Sequence, residues 1–106
     1  VTIAHVEVRA QDETSVDIAI SGEIDLSNAV SVQDGVFSAI TNRLLSVRID
    51  LAGVTYLDSA GLRILFALAD RLRLLQTSCI IVAPFGSPTR RVIELSGLDN
   101  LVTVDA

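Results

Sequence analysis

The sequence has no lysine, no methionine and no tryptophan, and it carries one cysteine, one histidine and two prolines. Each shortage closes off chemistry. Without lysine there is no Walker-type phosphate loop, which needs a Gly-Lys-Ser/Thr ending. The single cysteine, Cys79, cannot staple the chain to itself, and it sits in the apolar run Cys79-Ile80-Ile81-Val82. That setting predicts a buried, inert thiol and a reducing, cytoplasmic compartment. The lone histidine, His5, falls in a strand-like stretch, where it reads as a surface or edge residue, and one His with one Cys cannot assemble a common zinc site. A hydrolase elbow requires Gly-x-Ser-x-Gly, and Leu57 stands where its first glycine belongs. Glu23 and Asp25 form an alternate carboxylate pair of the kind that is normally solvated. No catalytic residue, cofactor or metal is therefore expected, and the composition points to a binding module rather than an enzyme.

Long apolar runs are also missing. Mean hydropathy is +0.55, yet no uncharged apolar stretch reaches the roughly 18 residues of a membrane span. The N-terminus lacks the basic region and apolar block of a signal peptide. With no methionine, Val1 is either an unusual start or the cut edge of a longer protein. The basic residues number 8, all arginine, against 13 acidic ones, a net charge of −5. An acidic domain without a basic stripe is a poor nucleic-acid binder. At 106 residues the chain is expected to form one domain over 1–106.

What is present is regular patterning. Val6, Val8 and Ala10 alternate with His5, Glu7 and Arg9, predicting a strand over Ala4–Ala10. Val16–Ser21 alternates again after a polar link, which suggests an antiparallel hairpin. Gly22–Asn28 interrupts the pattern, and Ser27 or Asp25 is placed to cap a helix over about Asn28–Asn42. Gly35 weakens that helix by about 1 kcal/mol relative to alanine. Ser46–Ala52 is a third strand, Ser59–Gln76 the longest helix and Thr77–Ala83 a fourth strand. Pro88–Ser96 forms a helix stopped by Gly97, and Leu101–Val104 a last strand. The resulting order β-β-α-β-α-β-α-β describes an α/β fold: a mixed sheet of about five strands, the first antiparallel, with helices mainly on one face.

The stretch Tyr56-Leu57-Asp58-Ser59-Ala60-Gly61-Leu62 joins the third strand to the long helix. An Asp-Ser pair at a helix start is either a cap or a place to put a phosphate. Two further segments, Gly22-Glu23-Ile24-Asp25 and Glu94-Leu95-Ser96-Gly97-Leu98, accompany it. In order and spacing the three resemble the STAS family, found in bacterial anti-sigma factor antagonists and in the tails of sulfate transporters. The match spans nearly the whole chain, and Asp-Ser-x-Gly-Leu is its most specific part.

The resemblance implies a switch. Ser59 takes the position that a partner, both serine kinase and anti-sigma factor, phosphorylates. The unphosphorylated domain binds that partner and frees a sigma factor; the phosphorylated domain lets go until a serine phosphatase resets it. Asp25, Asp58, Ser59, Ala60, Gly61 and Leu62 are implied as the partner surface, with Gly22 in the neighbouring loop. Ala60 replaces a second serine found in some relatives, which leaves Ser59 the clearer acceptor. The same resemblance leaves room for a regulatory domain or subunit of an anion or lipid transporter, or for a nucleotide-sensing module. The long helix carries one stripe of Leu62, Leu65, Phe66, Ala69 and Leu72 and a second of Ile64, Leu68 and Leu75. These predict burial by the sheet on one side and by the last helix on the other, or else a partner or weak self-association face adjoining Ser59. Arg63, one turn after Ser59, is placed either to pair with a phosphate there or to point into solvent, the second being the expectation.

Overall fold

A computed structural model describes residues 3–106 of the protein. Strands β1 (Ala4–Gln11) and β2 (Ser15–Ile24) form the antiparallel hairpin. Its turn is held by Asp12, whose Oδ1 accepts from the Thr14 and Ser15 N–H groups at 2.9 and 2.8 Å. After β2 come α1 (Ala29–Phe37), β3 (Ser46–Leu57), α2 (Ser59–Leu74), β4 (Ser78–Val82), α3 (Pro88–Ser96) and β5 (Thr103–Asp105). β2 to β5 are parallel, and the sheet order β1-β2-β3-β4-β5 follows the sequence. Every crossover thus steps the same way, and right-handed connections place their helices on one face. Among the described residues, no helix is long and apolar enough to cross a membrane.

The core lies on that face. Ile18 and Ile20 of β2, Ile49 and Leu51 of β3 and Ile81 of β4 are fully buried with Val36 of α1, Leu68 and Leu72 of α2 and Ile93 of α3. The opposite face carries charge. Arg9 reaches Asp50 at 2.6 Å and Asp17 at 3.4 Å, and Arg48 reaches Asp17 at 3.2 Å. Partial burial pushes the Asp50 carboxyl up. The Ala52 N–H bond, the Arg9 bond and the charges of Arg9 and Arg48 outweigh it and hold the group below its usual 3.8. A carboxyl depressed in the folded state stabilises the fold above its unfolded value and loses that contribution as pH falls through the folded value. Asp50→Asn should therefore cost about 1 kcal/mol at neutral pH, with the gap to wild type closing toward pH 3. Urea titrations at both pH values check this, and a gap unchanged by acid would overturn it.

Several sequence expectations are corrected. Ser27 and Asp25 do not cap α1 through their side chains. Asp25 Oδ1 instead accepts from the Ser27 N–H and hydroxyl at 2.8 and 2.6 Å, while the Asp25 carbonyl accepts from Asn28 N and Ala29 N. α1 also stops at Phe37, short of Asn42. Ala39 N and Ile40 N turn back to the carbonyls of Val36 and Phe37, tightening the last turn. Gly35 is a packing residue: a methyl group there would sit 3.3 Å from Val6 Cβ, so its absence lets α1 approach β1. β2 runs on through Gly22–Ile24, and β3 continues past Ala52 to Leu57. β3 bulges against β2 after Asp50 and again after Val54. A further irregularity between Val8 and Ala10 in β1 leaves both residues exposed rather than in the core. α2 packs beside α1, where Arg71 lies 5.1 Å from the Phe37 ring centre.

A loop surface at the carboxyl edge of the parallel strands

β2 and β3 end side by side, with Ile24 in register with Leu57. The next residues, Asp25 and Asp58, therefore open neighbouring loops, and the Asp58 N–H ties them by donating to the Ile24 carbonyl at 3.2 Å. Loops at the carboxyl ends of parallel strands are the part of such a sheet that the core leaves free for function.

Asp58 is the N-cap of α2. Its backbone is extended, and its Oδ1 accepts from Ala60 N at 2.9 Å and Gly61 N at 3.1 Å. Its carbonyl accepts from Leu62 N at 2.9 Å. Ser59 is the first helical residue and is exposed. The cap and the candidate acceptor are thus different residues: Asp58 shapes the helix start, and Ser59 rides on it with its hydroxyl in solvent.

Ala60 and Gly61, expected on the partner surface, are buried. They act from beneath. A methyl group on Gly61 would lie 2.4 Å from Leu57 Cδ1 and 3.0 Å from Ile24 Cγ2, so the glycine lets α2 settle onto both strand ends without moving the Leu57 side chain. Leu62 and Asp25 are half-buried. The neighbouring loop has its own scaffold. Asn28 accepts from Asp25 N at 3.0 Å through Oδ1 and donates from Nδ2 to the Glu23 carbonyl at 2.8 Å. Gly22 sits at φ +93°, and the Glu23 N–H beside it donates to the Ile3 carbonyl at 3.0 Å.

Sequence reasoning missed three residues. Leu26, Val30 and Phe85 are 79%, 73% and 75% exposed. Leu26 lies in the loop after β2, Val30 in the first turn of α1 that follows it, and Phe85 in the loop after β4, so they flank the β3–α2 junction that carries Ser59. The available signal was an apolar side chain inside a turn-forming stretch, Asp25-Leu26-Ser27 and Pro84-Phe85-Gly86. Phe85 is backed by Arg90, whose guanidinium lies 4.3 Å from the ring centre and donates to the carbonyls of Ala83 and Asp105 at 3.0 and 3.1 Å. Cys79 lies away from this edge, half-buried in β4, and burial pushes its thiol up to about 11. Among the described residues, no cluster of His, Cys, Asp or Glu forms a metal site.

Fold and site together define a small one-faced α/β domain that presents a loop surface, with an exposed hydroxyl at the centre and apolar side chains to either side. The STAS domain model matches residues 5–106. The chain belongs to the STAS domain family. It is 30% identical over 101 residues to the anti-sigma-B factor antagonist of Listeria monocytogenes, covering 93% of this chain and 86% of that one. It is 36% identical over 83 residues to the anti-sigma-F factor antagonist RsfB of Mycobacterium tuberculosis, covering 78% of this chain and 66% of that one. The crystal structure of an anti-sigma factor antagonist from Mycobacterium paratuberculosis superposes with a TM-score of 0.84 at 29% identity, over 97% of this chain and 86% of the other.

Proposed function

We propose that this domain is an anti-sigma factor antagonist whose binding is switched by phosphorylation of Ser59. The observation that carries the reading is the exposed Ser59 hydroxyl on a helix start already capped by Asp58, in a chain with relatives of that name. Its partner is an anti-sigma factor that is also a serine kinase. In the transfer, Ser59 Oγ forms a bond to the terminal phosphorus of a nucleoside triphosphate on the partner. The bond to the diphosphate breaks, and the hydroxyl proton passes to a base on the partner. A serine phosphatase reverses the modification.

Binding and release then follow from charge. Unmodified, the edge offers a neutral hydroxyl among Leu26, Val30 and Phe85, which a partner can cover with little desolvation. The phosphate adds about −1.5 to −2 charge beside the Asp58 carboxylate, and an interface closing over it meets both repulsion and desolvation. The fold need not move, because an anion at a helix N-terminus is favourably placed. Labelling with the cognate kinase followed by mass spectrometry should place one phosphate on Ser59 and none on Ser59→Ala. Undiminished labelling of that variant would put the acceptor elsewhere.

A further inference from the structure

We infer that Arg63 is the internal counter-ion of a phosphate on Ser59, so that modification both adds an anion to the loop surface and withdraws a cation from it. The inference rests on Ser59 as the phosphorylated residue and adds what receives the charge.

The backbone of α2 offers the phosphate less than a bare helix end would. Asp58 already holds the N–H groups of Ala60 and Gly61, and Leu62 N is bound to the Asp58 carbonyl. With these donors committed, a nearby cationic side chain is the stronger partner for the dianion. Residues four apart on a helix are surface neighbours, with about 5–6 Å between Cβ atoms. Helical side chains also lean toward the N-terminus, which tilts Arg63 toward Ser59. Both residues are exposed, and among the described residues Arg63 has no ion-pair or hydrogen-bond partner of its own.

The other arginines are committed or badly placed. Arg9 and Arg48 serve the network on the open sheet face. Arg71 lies over Phe37, Arg73 pairs with Asp70 at 2.7 Å, and Arg90 is tied to two carbonyls. Arg43 precedes β3, at the end of the strand remote from Ser59. Arg91, exposed in α3, is the one competitor.

The test installs phosphoserine at position 59 during translation and follows its second ionisation by phosphorus NMR, alone and with Arg63→Gln, Arg63→Lys or Arg91→Gln. A free phosphoserine titrates near pH 6, and a nearby cation favours the dianion. With Arg63 present the midpoint should lie about 0.3 pH unit below that of Arg63→Gln, and 1 M salt should shrink the difference. Arg63→Lys should restore most of it, and Arg91→Gln should titrate like wild type. Equal midpoints with and without Arg63, or a shift that follows Arg91 instead, would overturn the inference. Because the phosphate is built in, a failure of the kinase to label Ser59 would count against the switch and leave this titration to decide the pairing.

Discussion

Ser59→Asp should weaken binding of the cognate anti-sigma factor by about 100-fold, the scale set by leaving one buried interfacial charge unpaired. Ser59→Ala should bind within a few-fold of wild type, since a methyl group occupies the place of a neutral hydroxyl. The contrast is informative because neither change should harm the fold. An aspartate in the first turn of a helix is favoured by the dipole, and the cap belongs to Asp58, which both variants keep. Calorimetric titration of the partner, paired with thermal melts of each variant, separates the two effects. Equal affinity for Ser59→Asp and Ser59→Ala would remove charge as the basis of release. A drop in affinity that tracks a drop in melting temperature would reduce it to unfolding.

Gly22→Ala should destabilise the domain by about 3 kcal/mol, through a strained left-handed backbone and a collision added together. Gly22 is held at φ +93°, and a methyl group on it would sit 2.3 Å from the Ile3 carbonyl oxygen. That oxygen is fixed by the Glu23 N–H and cannot simply turn aside. Gly86 supplies the control. Its φ is +79°, yet nothing lies within 4 Å of the added carbon. Gly86→Ala should therefore show the conformational cost alone, about 1 kcal/mol. On a domain of this size the two variants should melt at least about 8 °C apart. Coincident melting temperatures would mean that the strand end relaxes around the methyl group and that the Ile3 contact carries no weight.

The order of elements was readable because most of them obey one clean period. β2 alternates from Val16 to Ile20, and α2 repeats its leucines at helical spacing. The Asp58-Ser59 junction was readable because a capping pair stands between a period of two and a period of 3.6. What escaped did so for physical reasons. Leu51, Val54 and Leu57 of β3 are all buried and stand three apart, because bulges carry the strand past its own alternation. A period of three looks like a strand that has ended. The early stop of α1 depends on backbone turns after Phe37 that side-chain type does not announce. That α1 packs beside α2 is a tertiary arrangement that neither helix's own pattern announces. The burial of Ala60 and Gly61 was not legible, because the short motif does not announce which of its residues lie beneath the turn. Leu26, Val30 and Phe85 are ordinary apolar residues until the fold leaves them uncovered.

The bulges in β3 give Ser59 an address written in residue count. From Ala19 to Ile24 β2 advances five residues, while its partner advances seven, from Asp50 to Leu57. Each extra residue turns the following side chains to the other side of the sheet, and the pair of them restores the original phase. Loss of one residue from this stretch would deliver Asp58 and Ser59 in inverted phase, with the cap aimed away from its helix. Loss of two would remove both bulges and keep the phase, with Leu57 still beside Ile24 but with the local bend and twist of the bulges gone. The phase of the strand end that carries Asp58 and Ser59 is therefore set by the number of residues in this stretch, and the loss of a single one should be felt at the helix start.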